Sequence, residues 1–259
     1  MKKRTITLFT ALALLLFAGS VAANNINVSN IKVTGQNTTA GVNYPDNYTL
    51  VQFDLSWENS WRISSVPNNW DAAWVFVKYR VGSGDWQHAW LNNTGHSSGT
   101  GTSATIDAGL LTPGTAFHAT TNPALGVFIY RSADDTGNFS ITGAQLRWNY
   151  GANGVADNAT VDVKVFAIEM VYVPAGNFLM GSAETDSNRD PASEDPQHRV
   201  YLDAYWISKT QVTNGMFNAC VAAGACQYSV AHSTNPNYLD SLFATHPVVY
   251  ISWDMAQTY

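Results

Sequence analysis

The chain has 259 residues, with 13 Lys and Arg against 19 Asp and Glu, for a formal net charge of −6 at pH 7. An acidic chain with few charged residues argues against a nucleic-acid partner, which requires a basic patch, and against binding to anionic lipid. Its length suggests two domains, each able to build its own core.

Residues 1–23 have the pattern of an export signal. Three basic residues at 2–4 precede an apolar run over 8–18, and small residues at 20–23 offer a cleavage site before Asn24. The run is short for a membrane span and lacks a basic flank, although an uncleaved anchor is the alternative. We therefore predict a secreted, periplasmic or cell-surface protein with no membrane span after cleavage.

Residues 24–168 have the pattern of a β-rich module. Apolar and polar residues alternate with period two over 48–57, and the polar turn at 82–85 separates the apolar runs 73–81 and 86–91. Further short runs of this kind follow at similar spacing, with polar turns between them. These features predict an antiparallel β-sandwich.

The tryptophans of this module suggest one candidate binding feature. Most are expected to fill the core, because large rings dominate burial. Trp61 and Trp70, in a polar loop, are the best candidates for exposed rings that stack on a ligand such as a carbohydrate. The alternative is that both also belong to the core.

The second half of the chain begins as a mixed α/β segment. Residues 170–181 predict a strand, a tight turn and a second strand. Alternation over 200–206 predicts one further strand, and Thr213-Asn214 predicts the start of a helix.

Three ordered motifs in this half carry a family resemblance. Residues 170–182 read MVYVPAGNFLMGS, residues 194–202 read EDPQHRVYL, and residues 209–214 read KTQVTN. In this order they resemble the opening of the formylglycine-generating enzyme, or sulfatase-modifying factor, family. Residues 247–256, which read PVVYISWDMA, resemble the family's next block.

The resemblance implies both a fold and an activity. Residues 169–259 would be the N-terminal part of an α+β domain with a C-type-lectin-like fold, following a β-sandwich, so that the whole chain is mostly β. Intact enzymes of this family are copper-dependent oxidases that convert a Cys of an exported sulfatase to formylglycine. Copper and calcium are therefore possible cofactors of the intact domain, with the catalytic cysteines in a later part of it.

The sequence reaches only about two helical turns beyond Ser252, without a C-terminal cap, and we expect a truncated domain that lacks the catalytic half. No catalytic, cofactor-binding or metal-binding residue is thus expected among those given. The function favoured by the resemblance is that of an exported protein of this family whose intact form would be a formylglycine-generating oxidase acting on a Cys of an exported sulfatase. The alternative is a non-catalytic exported module for binding or assembly, with a carbohydrate, a surface or another protein as partner.

Cys220 and Cys226 are the only cysteines. An isolated close pair in an exported chain predicts one disulfide, and a redox-active or metal-bound pair is the alternative. The same spacing occurs in exported members of the family that the chain resembles.

The remaining candidate ligands show no metal-binding pattern. The six histidines lack metal-site spacing, and His198 is expected to form structural hydrogen bonds. The acidic loop 186–190 begins like a calcium loop but has Pro191 and Gln197 where a Gly and a Glu are needed. We therefore expect a solvated loop.

Overall fold

The computed structural model of the protein describes residues 26–222, 226–228 and 239–259. The predicted export signal lies outside these residues. The strands are β1 (Asn27–Asn37), β2 (Tyr48–Ile63), β3 (Asn69–Val81), β4 (Gln87–His88), β5 (Thr100–Gly101), β6 (Ala104–Leu110), β7 (Ala124–Arg131), β8 (Asp135–Trp148), β9 (Val161–Val173), β10 (Gly176–Met180), β11 (His198–Leu202) and β12 (Tyr205–Ser208). The helices are α1 (Pro191–Glu194), α2 (Asn214–Ala222) and α3 (Trp253–Thr258), with a short 3₁₀ helix at Ser241–Phe243.

Two antiparallel layers account for most of the strands. In the first layer, β2 pairs with β1 on one edge and with β8 on the other, and β5 pairs with β8. In the second layer, β3 lies between β9 and β7, with β12 beyond β9 and β6 beyond β7. The layers join where β2 turns into β3, which we call the β2–β3 corner. The predicted mostly β, antiparallel architecture is confirmed.

One hydrophobic core fills the space between the layers. The period-two alternation of β2 directs Phe53, Leu55 and Trp57 inward, and all three are buried. Trp57 stacks on Phe139 with ring centroids 3.9 Å apart. Across the layers, Tyr79 contacts Trp148 at 4.7 Å. The expectation that tryptophans fill this core therefore holds for Trp57 and Trp148.

Strand β9 connects the module to the segment that follows. It pairs with β3 from Val161 to Tyr172, and its last four residues also pair with β12. The predicted division between residues 168 and 169 therefore falls inside one strand. The segment with the family resemblance begins within the sheet of the sandwich.

The single strand predicted over 200–206 is wrong, because the chain breaks into two strands there. Strand β11 ends at Leu202 and pairs with β10, whereas β12 starts at Tyr205 and pairs with β9. Asp203 and Ala204 carry the chain from the small two-stranded sheet to the large one. The strand, turn and strand predicted over 170–181 are present as the end of β9 and β10.

A second, small hydrophobic cluster lies in the helical part. Phe217 and Cys226 are its buried members. The Oγ1 of Thr213 accepts a hydrogen bond from Met216 N at 3.3 Å, so the predicted helix start is confirmed. Ser252 likewise caps α3 by accepting from Met255 N.

The described helices are all short. Within residues 26–222, 226–228 and 239–259, none reaches the length and apolar character that crossing a bilayer requires.

Candidate functional site

The most concentrated polar chemistry lies at the β2–β3 corner, around Asp71. Asp71 is the third residue of β3, and it is fully buried although the residues next to it in the strand are apolar. It accepts hydrogen bonds from Trp57 Nε1 at 2.7 Å, Ser60 Oγ at 2.8 Å and the backbone N of Trp61 at 3.0 Å. Three donors satisfy the buried oxygens, which offsets much of the cost of removing them from water.

A second buried carboxylate, Glu169 in β9, lies on the same face of the sheet. Glu169 is directly opposite Ala73, two residues from Asp71 along β3. Burial raises the pKa of Glu169, against the hydrogen bond and charge of Lys209, and the neighbouring Asp71 raises it further. Burial likewise raises the pKa of Asp71, more than the hydrogen bonds from Trp57 and Ser60 lower it.

The ammonium group of Lys209 interacts electrostatically with both carboxylates. Lys209 Nζ forms an ion pair with Glu169, and its charge also lowers the pKa of Asp71. The backbone N of Lys209 donates to Glu169 O at 3.0 Å, just beyond the end of β12. The ammonium also lies 5.0 Å from the ring centroid of Trp61, a cation–π contact. The corner is thus a charge cluster shared between the sandwich and the segment after it.

Arg131 lies on the other side of the β2–β3 corner and contacts it through Ser60. Its side chain is buried, and Nε donates to Ser60 Oγ at 3.1 Å. Nη1 pairs with Asp135 at 2.7 Å, and Nη2 donates to the carbonyls of Gly137 and Asn138. Four of the five N–H donors of the guanidinium are thus used structurally, which leaves little of the group for a ligand.

An aromatic cluster covers the outer face of the same junction. Trp70 stacks on Tyr172 with centroids 4.1 Å apart, and Trp206 of β12 stacks on Phe128 of β7 at 4.2 Å. The Arg62 guanidinium lies 4.8 Å from the Trp70 centroid. These contacts hold β12 against the sandwich.

The structure brings the predicted stacking residues Trp61 and Trp70 together at the β2–β3 corner, both half-buried. Trp61 Nε1 donates to Asn69 Oδ1 at 3.0 Å. Trp70 has Tyr172 and Arg62 against its ring, and its Nε1 is buried without a hydrogen-bond partner among the described residues. A role in ligand stacking stays a prediction for both, and this geometry favours Trp61.

Cys220 and Cys226 form a disulfide, as predicted. Neither cysteine can supply a thiolate while this bond is intact, and soft thiolates are the ligands that suit copper in this chemistry. The donor set of the described residues therefore does not fit copper. These residues also contain no group of three or more His, Cys, Asp and Glu arranged to hold a metal ion.

The acidic loop and His198 form local hydrogen bonds. Asp186 Oδ1 accepts from Asn188 N at 2.9 Å, and Asp190 caps α1 by accepting from Ala192 N at 3.0 Å. His198 Nδ1 lies 2.8 Å from the carbonyl of Pro196. These side chains shape the turns of their own segment.

The sequence analysis did not identify the charge cluster. Asp71, Glu169 and Lys209 lie far apart in sequence, and no spacing rule joins them. The available signals were a carboxylate inside an apolar strand and two charged residues flanking the family-like motifs.

Comparison with known proteins gives a family match for the C-terminal part of the chain. Residues 156–259 match the family described as the Sulfatase-modifying factor enzyme 1-like domain. The match includes β9, through which the segment joins the sandwich. No curated protein and no solved structure shows significant similarity to the chain.

Proposed function

Residues 156–259 form a domain of the sulfatase-modifying factor family, and from this premise we propose that the protein is an exported, non-catalytic module for binding and assembly. The sandwich and the start of the family domain share β9, so the two parts would act as one platform. The two cysteines are committed to a disulfide, and thiol-dependent oxidation by these residues is therefore not expected.

The observation that carries this proposal is the exposure of large apolar side chains in the family segment. Large apolar side chains that stay exposed in one segment are candidates for contact with another protein or with a further part of the same domain. The most exposed of those after residue 200 are Tyr201, Leu239, Leu242, Tyr250 and Trp253. An exported sulfatase, or another exported protein, is the partner that the family suggests.

Sedimentation analysis of the full chain with an exported sulfatase from the same organism tests the assembly role. We expect a complex that Trp253→Ser weakens, because this side chain is 74% exposed and apolar. Val66→Ser is the matched control, since Val66 is 97% exposed but lies in the sandwich. If the sulfatase does not bind, or if it binds Trp253→Ser as tightly as the unchanged protein, assembly with a sulfatase through this surface is rejected.

The second candidate function is formylglycine generation, which the family match favours. We infer that residues 1–259 alone do not catalyse it. Incubation with copper and a sulfatase-type Cys peptide should give no aldehyde product above a protein-free blank, and turnover would contradict this. For the gene as a whole, two closely spaced cysteines encoded after Tyr259 would favour the oxidase, and their absence would reject it.

A further inference from the structure

A row of basic residues crosses the outer face of the second layer. Lys78 in β3 lies directly opposite Lys164 in β9 on one side and His88 in β4 on the other. The flanking residues Val77 and Tyr79 are buried in the core, so Lys78 points to the outer face. We call Lys78, Lys164 and His88 the basic row.

The lysines of the basic row form no ion pair with a carboxylate of the described residues. The four ion pairs among the described residues include neither Lys78 nor Lys164. In the adjacent row, Asp162 pairs with Arg80 at 2.8 Å. Like charges directly opposite each other destabilise a sheet, and burial lowers the pKa of Lys78. The free protein therefore carries an electrostatic cost that a bound anion would offset.

His88 contributes less charge than the two lysines. Burial lowers its pKa, and its Nε2 faces the carbonyl of Leu125. The stable positive charges of the row are thus Lys78 and Lys164, on adjacent strands about 4.8 Å apart. Both ammonium groups can reach one anionic group, or two neighbouring ones on an extended chain.

Aromatic rings border the basic row on both sides. Phe76 stacks on Phe166 across the strands at 5.2 Å with nearly parallel planes, so the two rings turn their edges outward. Ring edges carry partial positive charge. On the other side, the Trp86 ring contacts Lys164 Nζ at 4.4 Å and the Arg80 guanidinium at 4.9 Å. The outward ring edges of Phe76 and Phe166 favour an anion, whereas the electron-rich face of Trp86 partly balances the charge of Lys164.

We propose that the basic row binds the carboxylate or sulfate groups of an acidic polysaccharide. The row lies on the outer face of the sheet, and none of its residues lines the pocket beside Tyr150 or the pocket beside Arg131. An extended peptide needs side-chain pockets, and single-stranded nucleic acid needs exposed ring faces and a strongly basic groove. A polysaccharide with regularly spaced anionic groups needs neither pockets nor open ring faces.

This inference rests on the proposed binding role of the sandwich but uses a different surface from the one proposed for the sulfatase. The row is formed by residues of β3, β4 and β9, whereas Trp253 belongs to α3. Loss of polysaccharide binding and loss of sulfatase binding can therefore be measured separately. Either proposal can fail while the other stands.

Titration calorimetry on the full chain, at low and moderate salt, tests the proposal. The probes are polygalacturonate for carboxylate, dextran sulfate for sulfate, neutral dextran and poly-glutamate. We expect binding to at least one acidic polysaccharide, weakened about tenfold or more in Lys78→Gln/Lys164→Gln because charge-assisted contacts are lost. Lys32→Gln is the control, since Lys32 is exposed on β1 in the other layer and should bind normally.

Three results would overturn the proposal. These are no binding of either acidic polysaccharide, unchanged binding by the double variant, and equal or tighter binding of poly-glutamate, which would indicate an acidic peptide. The double variant should also melt at the same temperature or higher, because the substitutions remove like-charge repulsion. That result would separate lost binding from lost folding.

Discussion

Lys209 forms an ion pair with Glu169 across 40 positions of sequence, and its charge also acts on Asp71 of β3, which links the family segment to the sandwich. The Glu169 side chain is 8% exposed and that of Lys209 is 24% exposed. Removing one partner of such a pair leaves an uncompensated charge in a poorly hydrated site. The pair is therefore a sensitive test of how firmly the two parts are joined.

Replacing the ammonium should destabilise the protein. We expect Lys209→Met to lower the free energy of unfolding by about 2–4 kcal/mol, because Glu169 and Asp71 would lose their shared cation. Urea denaturation measures the change. Arg80→Met, which breaks the exposed pair with Asp162, is the control and should cost less than about 1 kcal/mol. Equal effects of the two substitutions would contradict a special role for Lys209.

The buried carboxyls should make stability fall as pH rises. Burial raises the pKa of both Asp71 and Glu169, so the folded state binds protons more tightly than the unfolded state. Their stabilising contribution is complete below the unfolded pKa values, about 4, and is lost as pH passes through the raised folded values. Urea midpoints measured from pH 4 upward should fall more steeply for the unchanged protein than for Asp71→Asn. If the urea midpoints of the two proteins fell equally with pH, the idea that the raised pKa of Asp71 makes stability depend on pH would be rejected.

The disulfide should stabilise only the small helical cluster. The bond joins Cys220 to Cys226 beside Phe217, away from the sandwich core. Closing so short a loop contributes about 2–3 kcal/mol. We expect the variant with both cysteines replaced by Ala to be cut faster by protease in residues 212–259. The sandwich should stay resistant, and rapid cleavage within β2 or β8 would contradict this locality.

Close packing of Trp74 should make one glycine intolerant of substitution. A Cβ added at Gly126 would lie 2.6 Å from the Trp74 ring and 2.7 Å from the carbonyl of Val75. Gly126→Ala should therefore cost about 1–3 kcal/mol through overpacking. Gly176→Ala is the control, since nothing lies within 4 Å of its added Cβ. Thermal denaturation compares the two, and an unchanged melting temperature for Gly126→Ala would contradict the packing.

The sequence predicted those features that depend on local pattern. Alternation over 48–57 gave β2 and its buried face, and the residue types around 213 gave the helix start. The break at Asp203 and Ala204 was not predictable, because it depends on β11 and β12 pairing with strands of different sheets. The charge cluster depends on three strands meeting, which no local pattern encodes.

The continuity of β9 also determines where the protein can be divided. A cut between residues 168 and 169 would remove the β9 partners of β3 from Trp70 to Ala73 and expose backbone donors and acceptors that are now paired. A freed strand edge of this kind invites pairing between molecules. Expression boundaries placed after Thr210 would retain β9, β12 and the Lys209–Glu169 ion pair and avoid that aggregation hazard.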